Sequence, residues 1–271
     1  MDNSRLKSFL VIKNHILNYT DYGQGNVIVL LHGYLESLEV WGDFSIQLSK
    51  HYRVICFDIP GHGQSDMLSE TQTMDELASC IHDALISLKI QKCFLVGHSM
   101  GGYLTLMFHH LFPEKLSGFC LFHSHPFADS DEKRENRLRE MELIKDGKKS
   151  LIASVNIPNT YASENVTVFN SEIEKAKNIV LKTPNKGIIA NLHAMMTRPD
   201  LSESLAGSRL AFLYIVGKKD NLIDFHNIVP KIKLPENYKL IVLENSGHMG
   251  FIEEKQIALN HIKSFIDVKI N

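Results

Sequence analysis

Short apolar runs alternate with amphipathic stretches along this chain. The runs are Val27–Leu31, Val54–Phe57, Cys93–Val96, Phe119–Phe122, Leu210–Val216 and Leu240–Leu243. Each is continuous rather than alternating, the pattern of strands buried on both faces in a parallel sheet. Between them, Met74, Leu77, Ala78, Ile81, Leu85 and Leu88 repeat at helical spacing behind a capping-box pair, Thr73 and Glu76. Leu104, Met107, Phe108 and Leu111 do the same before Pro113, and Ala258, Ile262, Phe265 and Ile266 near the C-terminus. Strands alternating with helices predict a doubly wound, mostly parallel α/β sheet. Ser8–Ile12 and Ile16–Tyr22 read as an antiparallel hairpin on its edge.

One interval breaks this rhythm. Residues 123–209 hold no convincing buried strand. They open on a charged stretch at 129–137, pass through a weakly amphipathic helix (Leu138, Met141, Ile144) and a polar segment rich in Asn and Ser, and end in a stronger helix. That helix carries Ile188, Ile189, Leu192, Met195 and Met196, with Thr183 as its expected cap and Pro184 at its first position. The division expected is a core of residues 1–122 and 210–271 with a mainly helical cap at 123–209; an ordinary run of crossover helices is the alternative.

Composition narrows the partners. The 271 residues carry a formal net charge of −2, so charge gives no case for nucleic acid or an anionic membrane. No apolar run approaches the ~18–20 residues of a membrane-spanning helix, and the first fifteen residues lack the ~7–15-residue apolar core of a secretory leader. The four cysteines, at 56, 80, 93 and 120, form no Cys-x-x-Cys pair. A reduced, cytoplasmic protein is expected.

The most specific chemical signal is Gly97-His98-Ser99-Met100-Gly101-Gly102, between an apolar run and a helix. A serine on a sharp strand-to-helix turn stands clear of the sheet, and Gly97 and Gly101 remove side chains that would collide there. The following helix points its N-terminus at the reaction centre. A serine hydroxyl needs a base. Of the 14 histidines, His248 is best placed, in a glycine-flanked loop just past Leu240–Leu243. His109 and His110 lie inside a helix. His123 and His125 form a His-x-His pair without a metal-ligand set around it, so a structural role is expected there, no metal or other cofactor is expected, and His98 packs or lines the site. The carboxylate that would orient the base is Asp220, past Leu210–Val216, with Asp224 its nearest competitor and Asp129 a weaker one. Two backbone N–H groups would meet the developing oxyanion: that of Met100, and that of Tyr34 in the loop after Val27–Leu31.

With these residues in view, the chain resembles the α/β-hydrolase superfamily over nearly its whole length. The matching pieces are LLHGYLES, FDIPGHGQSD (Phe57–Asp66), VGHSMGG, IVGKKD and NSGHMGFIE, in the superfamily's order. The order Ser99, Asp220, His248 is that superfamily's nucleophile, acid and base. Asp58–Ser65 resembles a loop-shaping turn to which structural work is assigned. The segment 195–200 weakly resembles capped small-ester and lactone hydrolases. Haloalkane dehalogenases and epoxide hydrolases carry aspartate where Ser99 stands. Carbon–carbon bond hydrolases usually have a glycine-richer loop than Tyr34-Leu-Glu-Ser, and perhydrolase-like members share a similar serine turn. The resemblance implies a serine hydrolase of small carboxylic esters working through an acyl-enzyme. Lactone or diketone hydrolysis by the same residues, and a hydrolase-fold ligand sensor, are the alternatives. Ile188, Leu192 and Met195 would line the pocket for a small ester, with Tyr34 and Trp41 opposite, although Trp41 fits a core position equally well.

Overall fold

All six continuous apolar runs become parallel strands in the computed structural model, which describes residues 8–269. Residues 1–7, on which the leader expectation partly rests, lie outside that range. The strands are β1 (Ser8–Ile12), β2 (His15–Tyr22), β3 (Val27–Leu31), β4 (Arg53–Phe57), β5 (Cys93–His98), β6 (Leu116–Phe122), β7 (Ala211–Gly217) and β8 (Tyr238–Leu243). Their order across the sheet is β1-β2-β4-β3-β5-β6-β7-β8. β1 and β2 form the antiparallel hairpin, β2 joins β4 antiparallel, and every later pair is parallel. The central strands are buried along most of their length, which explains why their sequences do not alternate.

The helices are α1 (Gly42–Ser49), α2 (Met74–Ser87), α3 (Met100–Leu111), α4 (Asp131–Lys145), α5 (Lys149–Asn159), α6 (Asn170–Lys182), α7 (Asn185–Thr197), α8 (Ser202–Ala206), α9 (Phe225–Ile228), α10 (Gly250–Glu253) and α11 (Lys255–Lys269). The Thr73–Glu76 capping box forms in both directions at the start of α2. Among the described residues none of these helices is long and apolar enough to cross a membrane. The four cysteines are buried and unpaired with one another.

Between β6 and β7 the described chain is helical, α4 to α8, with no strand. Two differences from the sequence reading occur here. The polar segment folds as α5 and α6, because Ile152, Ala153 and Ile157, then Ile173, Ala176 and Val180, recur at helical spacing among the polar residues and are buried. The cap of α7 also moves by one residue. Thr183 is extended, as a residue before proline prefers, and its hydroxyl turns back to the Ile179 carbonyl; Pro184 takes the cap position.

α7 docks on the turn at Asp58–Ser65. Asn191 Nδ2 donates to the Pro60 carbonyl at 2.8 Å, and a Cβ on Gly187 would stand 1.9 Å from the Gly61 carbonyl oxygen. The buried Asp58 carboxylate fixes that turn by accepting from Leu38 N–H, Gln64 N–H and Asn18 Nδ2. This is the structural work expected of the segment. It locks the loop after β4 beside the loop after β3.

Candidate active site

Four loops gather at the carboxyl ends of the parallel strands. Ser99 follows β5 with φ 51° and ψ −114°, a strained conformation for a residue with a side chain. The geometry survives because the neighbours are small. A Cβ on Gly97 would lie 2.1 Å from the Gly101 carbonyl oxygen, and one on Gly101 would lie 2.3 Å from that of Leu31. Ser124 Oγ donates to the Ser99 carbonyl at 2.9 Å and braces the turn from β6. Ser99 is partly exposed and lines a cavity of about 420 Å³, within the usual range for small-molecule sites.

His248 lines the same cavity from the loop after β8. Its Nδ1 donates to Asp220 Oδ2 at 2.7 Å. Asp220 is buried, and its Oδ1 accepts the N–H groups of Leu222 and Ile223 at 2.8 and 3.0 Å. Burial alone would raise its pKa, but the two nearby histidines and their hydrogen bonds hold it well below the ordinary carboxylate range. Asp224, the competing acid, is instead exposed and caps α9 through the N–H groups of His226 and Asn227. Asp129 pairs with two arginines. The structure thus joins Asp220 to His248 and brings Ser99 to the same cavity. Ser99 and His248 are not hydrogen-bonded to each other, and His248 Nε2 is buried without a hydrogen-bond partner among the described residues. An imidazole held through Nδ1, with Nε2 unpaired and lining the same cavity as a hydroxyl, has the chemistry of a proton acceptor for that hydroxyl.

Tyr34 also lines the cavity. Its neighbours' N–H groups are occupied, Gly33 donating to Glu36 Oε2 at 2.6 Å and Leu35 to His62 Nε2 at 3.3 Å. Among the described residues the Tyr34 and Met100 N–H groups have no such acceptor, which suits two donors meant for an oxygen of a bound molecule.

Three residues do more than their sequence suggests. Glu36 and His98 form a buried pair, His98 Nδ1 donating to Glu36 Oε2 at 3.1 Å while His98 Nε2 donates to the His248 carbonyl at 2.9 Å. Facing two acceptors, both ring nitrogens carry hydrogen. Burial would lower the His98 pKa, but the Glu36 charge and hydrogen bond raise it above the usual value; Glu36, against its own burial, is lowered. The pair ties the Gly33–Glu36 loop to the backbone of the His248 loop. His123 is the third. Its Nδ1 stands between Gly217 N–H at 3.0 Å and Asp220 Oδ2 at 3.3 Å, and its Nε2 accepts Gly250 N–H at 3.2 Å. Burial pushes its pKa down to about 4, keeping the ring neutral. The expected structural role therefore falls against the acid itself. The His-x-His spacing and the glutamate three residues after Gly33 were the available signals.

His123, Asp220 and His248 place one ligand-capable atom each within 4.8 Å of one another. Those atoms are already engaged, the Asp220 carboxylate with His248, and His123 with Asp220 through Nδ1 and with the Gly250 N–H through Nε2, so the set is built as a hydrogen-bond network.

The pocket residues divide. Met195 reaches the cavity. Trp41, Ile188 and Leu192 are fully buried in the hydrophobic core instead. Trp41 packs against Phe251 at 4.6 Å between ring centroids. The apolar face of α7 is spent on packing, and much of the cavity wall comes from polar residues of α4.

A sequence model of the alpha/beta hydrolase fold matches residues 26–255. The chain belongs to the alpha/beta hydrolases. Among relatives of this hydrolase, a 2-succinyl-6-hydroxy-2,4-cyclohexadiene-1-carboxylate synthase from Enterobacter sp. (strain 638) is 27% identical, covering 82% of this chain and 84% of that protein. A pimeloyl-[acyl-carrier protein] methyl ester esterase from Wigglesworthia glossinidia brevipalpis is 25% identical over 90% of this chain and 95% of its own. Among solved structures, an esterase from Thermogutta terrifontis superposes with a TM-score of 0.92 at 24% identity, covering 98% of this hydrolase and 99% of its own chain. The enol-lactonase from Burkholderia xenovorans LB400 gives 0.88 at 20% identity, with 96% and 100% covered. These structural likenesses are likenesses of fold.

Proposed function

We propose that this hydrolase cleaves small carboxylic esters through Ser99, His248 and Asp220. The observation that carries the reading is the buried Asp220–His248 hydrogen bond, with His248 Nε2 left unpaired at the cavity that Ser99 lines. Ser99 Oγ attacks the ester carbonyl carbon as His248 Nε2 takes its proton. Asp220 holds the imidazole and stabilises its positive form. The Tyr34 and Met100 N–H groups receive the oxyanion. As the tetrahedral intermediate collapses, His248 returns the proton to the departing alcohol. Water then attacks the acyl-serine as His248 takes its proton; the second tetrahedral intermediate expels Ser99 Oγ, which takes the proton back from His248, and the acid leaves. Every group required belongs to the chain.

The helices α4 to α8 act in this reading as a cap that closes one side of the cavity. The esterase name carried by one relative supports the choice of ester substrates. Lactones are cyclic esters open to the same steps, so a panel containing both ranks them.

A fluorophosphonate probe is expected to label Ser99, identified by peptide mass spectrometry, and Ser99→Ala is expected to lower ester turnover by roughly 10⁶-fold. A folded alanine variant that hydrolyses a short aryl ester at the parent rate would remove the proposal.

A further inference from the structure

The cavity wall opposite the expected chemistry is charged. One face of α4, at the i, i+3/i+4 spacing of residues 133, 137 and 140, gives Lys133, Arg137 and Glu140 to the cavity that Ser99 and His248 line. Arg137 is mostly buried, with 15% of its side chain exposed. It forks onto the Asp129 carboxylate through Nε and Nη2. Asp129 is not its alone. Arg198 Nη1 also reaches Asp129 Oδ1, at 2.7 Å, and the rest of the Arg198 guanidinium is consumed by the Met195 and Phe127 carbonyls and by the Tyr103 ring, whose centre lies 3.8 Å from its carbon. One carboxylate therefore serves two guanidinium groups, and one positive charge is left over.

The remaining charges do not cancel it. Lys133 forms no ion pair among the described residues. Glu140 shares one oxygen with Tyr34 Oη and Asn156 Nδ2, both at 3.1 Å, and burial raises its pKa. Glu36 is matched by His98. Even with Glu140 ionised, the buried Arg137 and Arg198 and the exposed Lys133 set three cations against two carboxylates around this wall. Arg137 Nη1 donates to no described residue, so the edge of the guanidinium away from Asp129 remains available for a second fork. A desolvated cation in excess is unfavourable unless an anion completes it.

Resting on the ester-hydrolase reading, we propose that the substrate is an ester bearing a free carboxylate, held by Arg137 with Lys133 beside it while the ester carbonyl lies at Ser99. The site would take a half-ester of a short dicarboxylic acid, or an ester whose alcohol carries the carboxylate. The reaction remains hydrolysis: water adds across the acyl–oxygen bond and the distal carboxylate is unchanged.

The test compares monomethyl glutarate with dimethyl glutarate, equal in backbone but differing in charge, and adds butyryl glycolate for a carboxylate on the alcohol side. The parent protein is expected to favour one of the anionic esters over the neutral diester by about tenfold or more in kcat/KM, since a charge-assisted pair of hydrogen bonds is at stake. Which anionic ester wins assigns the side. Arg137→Gln is expected to shrink that ratio by about tenfold or more, and Lys133→Gln, at an exposed position that tolerates change, to shrink it less and in a salt-dependent way. In parallel, calorimetry of glutarate binding to the Ser99→Ala protein needs no turnover. Hydrolysis of the neutral diester with no anionic preference, and no glutarate binding, overturns the carboxylate site and leaves the esterase reading standing. Arg137-dependent glutarate binding in a protein that cleaves no ester supports the site and sinks the esterase reading.

Discussion

Asp220 is a small residue in a crowded place. One oxygen serves His248, the other two backbone N–H groups, and His123 stands 3.3 Å away. Asp220→Asn keeps the shape but offers an amide where the imidazole needs an anion, so turnover is expected to fall by about 10⁴-fold with folding retained. Asp224→Asn, which touches only the cap of α9, is expected to stay near the parent rate; stopped assays of the two variants side by side check this. The positions of Ser99, Asp220 and His248 could be read in the sequence because each follows a strand run, and strand ends in this fold converge. Glu36, His98 and His123 could not be read that way. Their partners lie 62, 150 and 94 positions away, and the local signals, a His-x-His spacing and a glutamate three residues after Gly33, do not identify those partners.

At the scale of elements, strand and helix positions followed from periodicity wherever one face was plainly apolar. α5 and α6 escape that pattern because their buried stripes are narrow and interrupted by asparagine, serine and lysine. The apolar residues of α7 suggested a greasy lining, whereas α7 uses Ile188 and Leu192 to hold itself in the core. A polar helix face, the one on α4, looks like a solvated surface until the fold turns it inward. The contact of Gly187 with Gly61 gives this level its own prediction. A methyl group at Gly187 must displace the Asp58–Ser65 turn, so Gly187→Ala is expected to destabilise by about 1–3 kcal/mol, read as a lower urea midpoint.

For the whole molecule, histidines decide the acid limit. Burial pushes His123 and His109 down to about 4 and His125 to about 3, and holds His32 below and His62 well below the usual 6.5. In the unfolded chain these rings take up protons near pH 6.5, so the unfolded state binds more protons than the folded one below that value. Their contribution to stability is therefore complete above about pH 6.5 and drains away as pH falls toward about 4, by several kcal/mol in all. Glu36 and Asp220, both lowered, add losses on further acidification. His98, raised, works the other way, contributing most below 6.5 and least as pH climbs past its folded value. Urea titrations at pH 7 and pH 5 should show a much lower midpoint at pH 5. The His98 ring also has a consequence for anyone redesigning this protein. By gripping Glu36 with one nitrogen and the His248 backbone with the other, it makes residues 33–36 and the segment around 248 a single editable unit. Libraries that randomise either loop alone shift His248 and the Tyr34 N–H together, and under the proposed mechanism paired diversification of both is where altered selectivity with intact turnover should be sought.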